Sequence, residues 1–445
     1  MTKSNQYPRV LIVLMSKVKA DDPCNLLIRM QFGEWPKERL AQIHSNSNPK
    51  GNGEFCGHYY QINRYDRYFG KIFQRIRGKL INMSEMNKIE SININLSKNI
   101  KYNFVVKFKK IFADIVINSG LWELIFTVRI SKDMMRFINE FRPNLIYCQG
   151  YSLGFTRLPI IINKKYKIPI CFQTTDDWPT YTYNSFIMRM LIRKTAKKLI
   201  YHSTIRMAFG EKMQQLYQRR YGMDFLLTYH LDEHSRFQKN ENNRSEQLWI
   251  NDEISIIYTG SLGHHRFEGI HDLIKVIKSL NKENLINIKI NIYCTGIPKN
   301  IPIEIISSLE VKFHNLPSHN DLPCVLNSAS ILFLTESFSV RPEEIEYAIS
   351  SKAHLYMMSS KPIIVYGPAY SGSVDYAIKG GWAQVVTKRD ENLLKIALLS
   401  ILYDHKRNAE MKKKAFMIIN SNHDLTVGRK IFKTMINQAL SKNNK

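Results

Sequence analysis

The chain has 445 residues, a length that predicts two or three domains. Hydrophobic residues make up 44 % of it, enough to fill complete cores, so a wholly disordered chain is excluded. The 64 Lys and Arg residues outnumber the 38 Asp and Glu residues and give a formal net charge of +26. This charge predicts an anionic partner, such as nucleic acid, acidic lipid or a phosphorylated substrate.

Targeting and membrane signals are weak. The N-terminus lacks the apolar core and small-residue cleavage site of a signal peptide. The longest apolar stretch, residues 115–130, is interrupted by Asn118, Glu123 and Arg129, so no transmembrane helix is predicted. The six cysteines contain no CxxC pair, which argues against a zinc ribbon or a redox dithiol and indicates free thiols. We therefore expect a cytoplasmic protein.

The first half of the chain begins with a strand. Residues 9–15, RVLIVLM, form an apolar run typical of a strand buried on both faces, and Asn25 is positioned to cap a following helix. From there to about residue 130 the pattern is irregular, and it predicts surface helices and loops. Three further strands are predicted, at residues 144–148, 168–173 and 206–210. The polar run 238–252 is the candidate linker.

The second half repeats the alternation of strand and helix. The predicted strands are residues 254–258, 288–293, 311–315, 331–335, 362–366 and 383–387. One predicted helix places Ile270, Leu273, Ile274, Ile277 and Leu280 on a single face. Such repeats predict parallel sheets, here two doubly wound α/β domains of the Rossmann type that face a cleft. The expected boundaries are 1–240 and 253–423, with residues 424–445 as a helix that packs back on the first domain.

Several common sites are excluded by their missing residues. The chain has no GxGxxG fingerprint, and GPAYSGS at residues 367–373 lacks the lysine of a P-loop. HExxH is absent, and His264 and His265 are adjacent rather than one helical turn apart. We therefore predict no metal site and no cofactor.

Two signals in the second half suit phosphate binding. In the turn YTGSLGHHR, Gly260 and Gly263 permit close backbone approach, and Arg266 adds a bidentate phosphate donor at the start of a helix. A plain glycine-rich turn is the alternative. Lys352 is predicted near another helix start, beside the loop that carries Glu336, where it could neutralise a diphosphate. The alternative is a solvated lysine.

The third signal, Asp176-Asp177-Trp178-Pro179, ends a strand in the first half. Carboxylates there suit hydroxyl recognition or general-base chemistry at a cleft, with helix capping as the alternative. Three basic and aromatic stretches, residues 64–80, 101–112 and 189–199, also fall in the first half. They are interpreted as segments that rest on anionic lipid, with solvated helix faces as the alternative.

Together these motifs resemble those of bacterial GT-B glycosyltransferases of the retaining family 4 type, which act in capsule, O-antigen and exopolysaccharide assembly. The similarity covers nearly the whole chain. It rests on TTDDWP, on MAFGEKMQQLYQRRYG, on YTGSLG and on SSKAHLYMMSSKPIIVYGP, in this order. By this resemblance the first domain binds the acceptor and the second binds the nucleotide sugar.

The resemblance also implies roles for individual residues. Asp176 or Asp177 would face the acceptor, and Arg266 and Lys352 would stabilise the departing diphosphate. The implied donor contacts are Gly260, Ser261, Gly263, Arg266, Glu336, Ser351, Lys352 and Tyr356. The chain departs from the family pattern at Leu355, where a glutamate commonly holds the donor ribose, at Ser360, and in Thr228-Tyr229-His230-Leu231-Asp232.

The predicted function is transfer of a sugar from a nucleotide diphosphate sugar to a hydroxyl of a lipid-linked cell-surface glycan, with retention. Such an acceptor would place the protein peripherally on the inner face of the cytoplasmic membrane. One alternative is a nucleic-acid-binding protein, which the charge permits although no helix-turn-helix, zinc-finger or RNP-type motif is found. The other is a nucleotide-sugar-binding protein of the same fold without turnover.

Overall fold

The computed structural model describes residues 7–20, 25–45, 52–69, 119–238, 253–283, 286–298 and 301–443. Within these ranges the chain forms two fully parallel sheets, of seven and six strands, with helices between most successive strands. The predicted class, two doubly wound α/β domains, is confirmed. Residues 239–252 of the predicted linker, the basic stretch at 101–112 and residues 70–80 of the first basic stretch lie outside the described ranges.

The first sheet has the strand order β3-β2-β1-β4-β5-β6-β7. Its strands are β1 (Val10–Val13), β2 (Leu40–His44), β3 (His58–Gln61), β4 (Leu145–Cys148), β5 (Ile170–Thr174), β6 (Ile205–Phe209) and β7 (Leu226–Thr228). The four strands predicted in this half correspond to β1, β4, β5 and β6. All four are apolar runs because helices cover both faces of the sheet.

The interpretation of the early region as surface helices and loops is wrong for β2 and β3. Strand β2, LAQIH, is buried along its whole length although it contains two polar residues. Its Gln42 is satisfied inside the protein, because its side chain accepts from the Val18 N–H at 2.9 Å and donates to the Ser16 carbonyl at 2.7 Å. Strand β3 lies at the sheet edge and is half exposed, so its pattern resembles that of a loop.

Eight helices accompany the first sheet in the described ranges. They are α1 (Leu26–Phe32), α2 (Trp122–Ile125), α3 (Lys132–Phe141), α4 (Leu153–Tyr166), α5 (Trp178–Tyr181), α6 (Phe186–His202), α7 (Glu211–Tyr221) and α8 (Ser235–Gln238). Asn25 occupies the position before α1, as predicted, but its side chain makes no capping hydrogen bond there.

The second sheet has the order β10-β9-β8-β11-β12-β13. Its strands are β8 (Glu253–Thr259), β9 (Asn287–Cys294), β10 (Val311–Asn315), β11 (Ile331–Thr335), β12 (Ile363–Tyr366) and β13 (Gln384–Val386). All six match predicted strands to within one or two residues. The helices are α9 (Arg266–Lys282), α10 (Ile303–Ile306), α11 (Leu322–Asn327), α12 (Pro342–Ile345), α13 (Lys352–Met358), α14 (Gly372–Gly380), α15 (Glu391–Tyr403), α16 (His405–Ile418) and α17 (Leu425–Asn443). The predicted apolar face of α9 is buried.

The strand order of the second sheet reverses between β8 and β11, which pair in parallel. In open α/β sheets a ligand binds at such a reversal, outside the carboxyl ends of the strands. The turn that contains Gly260 leaves β8 there, and Glu336 leaves β11. Gly269 lets α9 lie directly on β11, since a Cβ at that position would fall 2.1 Å from the Thr335 hydroxyl oxygen.

Helix α17 returns to the first domain after the π-helix Ile419–His423. It contacts α1, β5 and β6. Phe432 packs edge-on against Phe32, with ring centroids 4.9 Å apart, and Arg429 donates to the Met30 carbonyl at 2.6 Å. In the described residues no helix is both long enough and apolar enough to cross a lipid bilayer.

Candidate active site

The glycine turn after β8 brings backbone close to a cationic side chain. Gly260 has a φ of 121°, a conformation that side-chain-bearing residues rarely adopt. A Cβ at Gly260 would lie 3.2 Å from the Lys352 ammonium nitrogen. The turn is braced from within, because Tyr258 donates to the Ser261 carbonyl at 2.6 Å and Ser261 accepts from the Gly263 N–H at 3.1 Å. Lys352 therefore reaches from α13 over the opening of this turn.

Lys352 is held in a surrounding that disfavours its charge. Its ammonium lies 4.6 Å from the centre of the Tyr258 ring and donates to the Tyr258 hydroxyl at 3.2 Å. Burial, and next the positive charge of Arg266, lower the pKa of Lys352 to about 7, while Glu336 opposes the shift. An anion that enters the site would raise the pKa of Lys352 and so favour its protonated form.

Glu336 is the only carboxylate among the predicted donor residues, and it is 4 % exposed. Its Oε1 accepts from the Ser373 hydroxyl at 2.7 Å, while its Oε2 lies 3.5 Å from Nε of Arg266 and makes no hydrogen bond with any residue that the structure describes. Ser373 in turn accepts from the Ser350 N–H at 2.9 Å. The GPAYSGS segment, which resembles a P-loop, thus supports this carboxylate.

The other predicted donor residues have different surroundings. Ser351 is exposed directly before α13. Tyr356 is fully buried beneath the turn, where its hydroxyl accepts from the Thr259 N–H at 2.9 Å, so its contact is with the scaffold. A cavity of about 530 Å³ borders Gly263, and its lining includes His264, His265 and Arg341.

The two aspartates at the end of β5 differ sharply. Asp177 is 2 % exposed, and its two oxygens accept from Arg220 at 2.5 and 2.8 Å, with a further hydrogen bond from Tyr217 at 3.1 Å. Both oxygens of this carboxylate are hydrogen-bonded to residues of the first domain, so Asp177 has a structural role there. Of the two predicted aspartates, Asp176 is therefore the one whose carboxylate is not held by an arginine.

Asp176 lies among hydroxyl groups. Its Oδ2 accepts from the Tyr151 hydroxyl at 3.1 Å, and Tyr151 also contacts the Thr175 hydroxyl at 2.5 Å. Burial raises the pKa of Asp176 to about 6, although hydrogen bonds from Tyr181 and Tyr151 oppose the shift. Tyr151 itself has a φ of 71°, a strained value of the kind found at functional sites.

Replacing Asp176 by asparagine should stabilise the protein. The pKa of this carboxyl is higher in the folded than in the unfolded chain, so its ionisation above pH 6 costs stability, and this cost fades as the pH falls from 6 toward 4. We expect a gain of about 1–2 kcal/mol at pH 8. Urea unfolding at pH 8, 6 and 4 measures it, and a gain that does not vary with pH would contradict this reason.

The two halves of the candidate site face each other across the domain boundary. Helix α12 contacts α5, directly after the aspartates. Lys212 donates to the Tyr370 carbonyl at 2.8 Å, and a Cβ at Gly210 would fall 2.6 Å from Ile349. The site is thus a cleft with a cationic wall on the second domain and a hydroxyl-rich, carboxylate-bearing wall on the first.

Sequence reasoning missed several residues of this cleft. Gly150 and Tyr151 lie two and three residues after β4, and Tyr258 and Ser373 belong to motifs that were recognised but were given no role of their own. Their position at the carboxyl ends of strands is the signal that could have found them. No group of three or more metal-ligating side chains is assembled in the part of the chain that the structure describes.

No protein-family model and no curated protein sequence matches the chain. Solved structures do match, over nearly its full length. Sucrose-phosphate synthase from Thermosynechococcus elongatus has a TM-score of 0.60 at 11 % identity, over 98 % of this chain and 100 % of that chain. HepE from Anabaena, in complex with UDP and glucose, has a TM-score of 0.57 at 11 % identity, over 97 % and 100 %.

The present chain has the GT-B fold. A third structure agrees with this, WaaG, a glycosyltransferase involved in lipopolysaccharide biosynthesis, with a TM-score of 0.55 at 10 % identity, over 96 % of this chain and 99 % of that chain. Identities this low carry the fold and leave the reaction to be argued from the site.

Proposed function

We propose that this GT-B protein is a glycosyltransferase that moves a sugar from a nucleotide diphosphate sugar to a hydroxyl group of a glycan. The observation that carries the proposal is the pairing of Lys352 and Arg266 with the open glycine turn at the β8/β11 reversal. Such a site offers two cationic side chains and backbone N–H groups to one anion. HepE, of the same fold, was solved with UDP and with UDP-glucose.

The chemistry follows from where charge develops. The bond between the anomeric carbon and the diphosphate breaks, so negative charge grows on the leaving phosphate oxygen. Arg266 and a protonated Lys352 would stabilise that charge without a metal ion. Retention of configuration is part of the proposal, with the leaving phosphate oxygen as the group that takes the proton of the acceptor hydroxyl.

Asp176 would orient the acceptor. Its carboxylate, with the Tyr151 and Thr175 hydroxyls, presents groups that bind sugar hydroxyls. Closure of the two domains over the cleft would keep water from the donor and so suppress its hydrolysis.

Helix α6 supports a lipid-linked acceptor and an anionic membrane as partner. Its first turns expose Phe186 and Ile187, at 74 % and 53 %, and further exposed lysines and arginines follow, Arg193, Lys194, Lys197 and Lys198. Apolar side chains beside basic ones suit the interface of an anionic bilayer. We expect binding to vesicles that contain acidic lipid in preference to duplex DNA at equal salt, and the opposite preference would favour a nucleic-acid-binding protein.

The test is thermal stabilisation by UDP-, GDP-, CMP- and dTDP-sugars, with ATP, NAD and duplex DNA as comparisons. A ligand that binds only the folded state adds about 2.7 kcal/mol at 100 times its Kd, which raises the Tm visibly. We expect one nucleotide sugar to raise the Tm, the shift to be lost in Arg266→Ala, and Arg407→Ala, at an exposed arginine of α16, to retain it.

The outcomes separate the candidate functions. A shift followed by sugar transfer to an added glycan supports the transferase. A shift with no turnover on any acceptor indicates a nucleotide-sugar-binding protein of the same fold. No shift with nucleotide sugars, together with a strong shift with DNA, overturns the proposal.

A further inference from the structure

Three histidines from separate parts of the chain stack where the two domains meet. His230 follows β7, His354 lies in α13, and His423 ends the π-helix. The rings of His230 and His354 are 5.2 Å apart at an angle of 18°, and those of His354 and His423 are 5.5 Å apart at 22°. None of them belongs to the cleft described above, yet His354 is only two residues from Lys352 on the same helix.

His423 is fixed in one neutral tautomer. Its Nδ1 lies 2.7 Å from the His230 carbonyl oxygen, which can only accept, so Nδ1 carries the proton. Its Nε2 then accepts from the Tyr376 hydroxyl at 2.9 Å. The Asp232 N–H donates to the His423 carbonyl at 3.1 Å, so this ring ties the end of the first domain to the returning chain.

His354 is the unusual member of the stack. It is 1 % exposed, and in the described part of the chain its ring makes no well-formed hydrogen bond and interacts only weakly with the Ser351 carbonyl. A buried polar group that is poorly hydrogen-bonded costs stability, and a phenyl ring of similar size would avoid that cost. A buried side chain that is unfavourable for stability is expected where a function depends on it.

The groups that surround the stack are mostly cationic or neutral. The first domain contributes His230, Tyr229 with the nearby carboxylate Glu211, and the ion pair of Asp232 with Arg236. The second domain contributes His319 from the loop after β10 and Tyr376 from α14, and the π-helix contributes His423. Lys352 lies on the same helix as His354, and Ser351 directly precedes that helix. Burial first, and then His230, His423 and His319, lower the pKa of His354 well below its usual value, while the Ser351 carbonyl opposes the shift. Burial likewise lowers the pKa of His230 to about 3 and that of His423 to about 4.

We propose that His230, His354 and His423 form a proton-sensitive latch between the two domains, and that His354 is a positioning residue for Lys352. While the three rings are neutral they stack, and α13 is held against the loop that follows β7. A proton on any ring breaks the stack and releases α13 from the first domain. The effect on sugar transfer rests on the function proposed above, whereas the latch itself does not.

The pH dependence follows from the solvation of the rings. When the domains separate along the stack, the imidazoles reach water and bind protons with pKa values near 6.5. Below about pH 6.5 protons therefore favour the separated arrangement. Its equilibrium constant relative to the stacked arrangement rises up to tenfold per pH unit for each ring, until the pH reaches the pKa of the stacked ring.

The experiment is small-angle X-ray scattering of the full chain, without any ligand, between pH 7.5 and pH 4.5. We expect the radius of gyration of the wild-type protein to increase as the pH falls below 6.5. His354→Phe keeps an aromatic ring but cannot bind a proton, so its transition should lie at least half a pH unit lower. His230→Phe, in a half-buried loop position, should show the same displacement and decides the matter if His354→Phe does not fold. His405→Phe, at an exposed histidine of α16, is the control and should follow the wild type.

A radius that stays constant in the wild type would overturn the latch, and so would variants whose transitions coincide with that of His405→Phe. The positioning role has its own measurement, the pH profile of kcat against that of KM. We expect the acidic limb of kcat to move to lower pH in His354→Phe while the KM of the donor at pH 7.5 changes less than threefold. Because scattering needs no donor, it distinguishes failure of the latch from failure of the proposed activity.

Discussion

Lys352→Met should lower the rate of the proposed sugar transfer by about 10²–10³-fold, because it removes a cation from the place where, in that reaction, the leaving diphosphate gains charge. The side chain already lies over the glycine turn, 3.2 Å from the Tyr258 hydroxyl and from the point where a Cβ at Gly260 would stand. Single-turnover rates at saturating donor measure the effect. Lys388→Met, at an exposed lysine of the same domain, should leave the rate unchanged.

Lys352→Met should also abolish the proton uptake that accompanies donor binding. Since burial and Arg266 lower the pKa of Lys352 to about 7, most molecules are neutral at this residue at pH 8. A bound diphosphate raises that pKa, so donor binding at pH 8 takes up close to one proton, and donor affinity falls as the pH rises above 7. Calorimetry in two buffers of different ionisation enthalpy measures the uptake. Equal proton uptake in Lys352→Met and wild type would show that another group is responsible.

Arg220→Ala should lower the free energy of unfolding by about 3–5 kcal/mol, since it leaves the Asp177 carboxylate buried without its counter-charge. Asp177 is 2 % exposed and receives two of its hydrogen bonds from this one guanidinium, at 2.5 and 2.8 Å. Urea unfolding at pH 7 measures the loss.

Two controls make this result specific. Arg219→Ala changes the exposed neighbour on the same helix and should cost less than about 0.5 kcal/mol. Asp177→Asn removes the buried charge itself and should cost less than Arg220→Ala. If the two arginine variants unfolded at the same urea concentration, the ion pair of Asp177 with Arg220 would not contribute to stability. Asp177 would then again be a candidate for the acceptor role.

Much of the fold was predictable because both sheets are parallel and covered on both faces. Their central strands must then be short continuous apolar runs, such as VLIV in β1 and ILFLT in β11, and runs of this kind are visible in the sequence. The strands that were not predicted from the sequence, β2 and β3, were missed for identifiable reasons. Gln42 in β2 is polar but satisfied by the backbone of Val18 and Ser16, and β3 is a partly exposed edge.

The second half of the candidate site was local enough to predict. Gly260, Arg266, Glu336 and Lys352 each stand within a few residues of a strand end or a helix start, and the topology of a doubly wound sheet brings such positions together. By itself the sequence therefore determined the class of the fold, the place of the cleft and the cationic character of one wall.

Only the tertiary structure decided how similar residues in the sequence differ in their surroundings. Asp176 and Asp177 are identical neighbours, but Arg220, 43 residues further along the chain, pairs with Asp177, while Asp176 lies among hydroxyl groups. The histidine stack joins rings that are 124 and 69 residues apart in the sequence, as the numbering of His230, His354 and His423 shows. Charge pairing, burial and ring stacking depend on distances in space, and a one-dimensional pattern records only the separations along the chain.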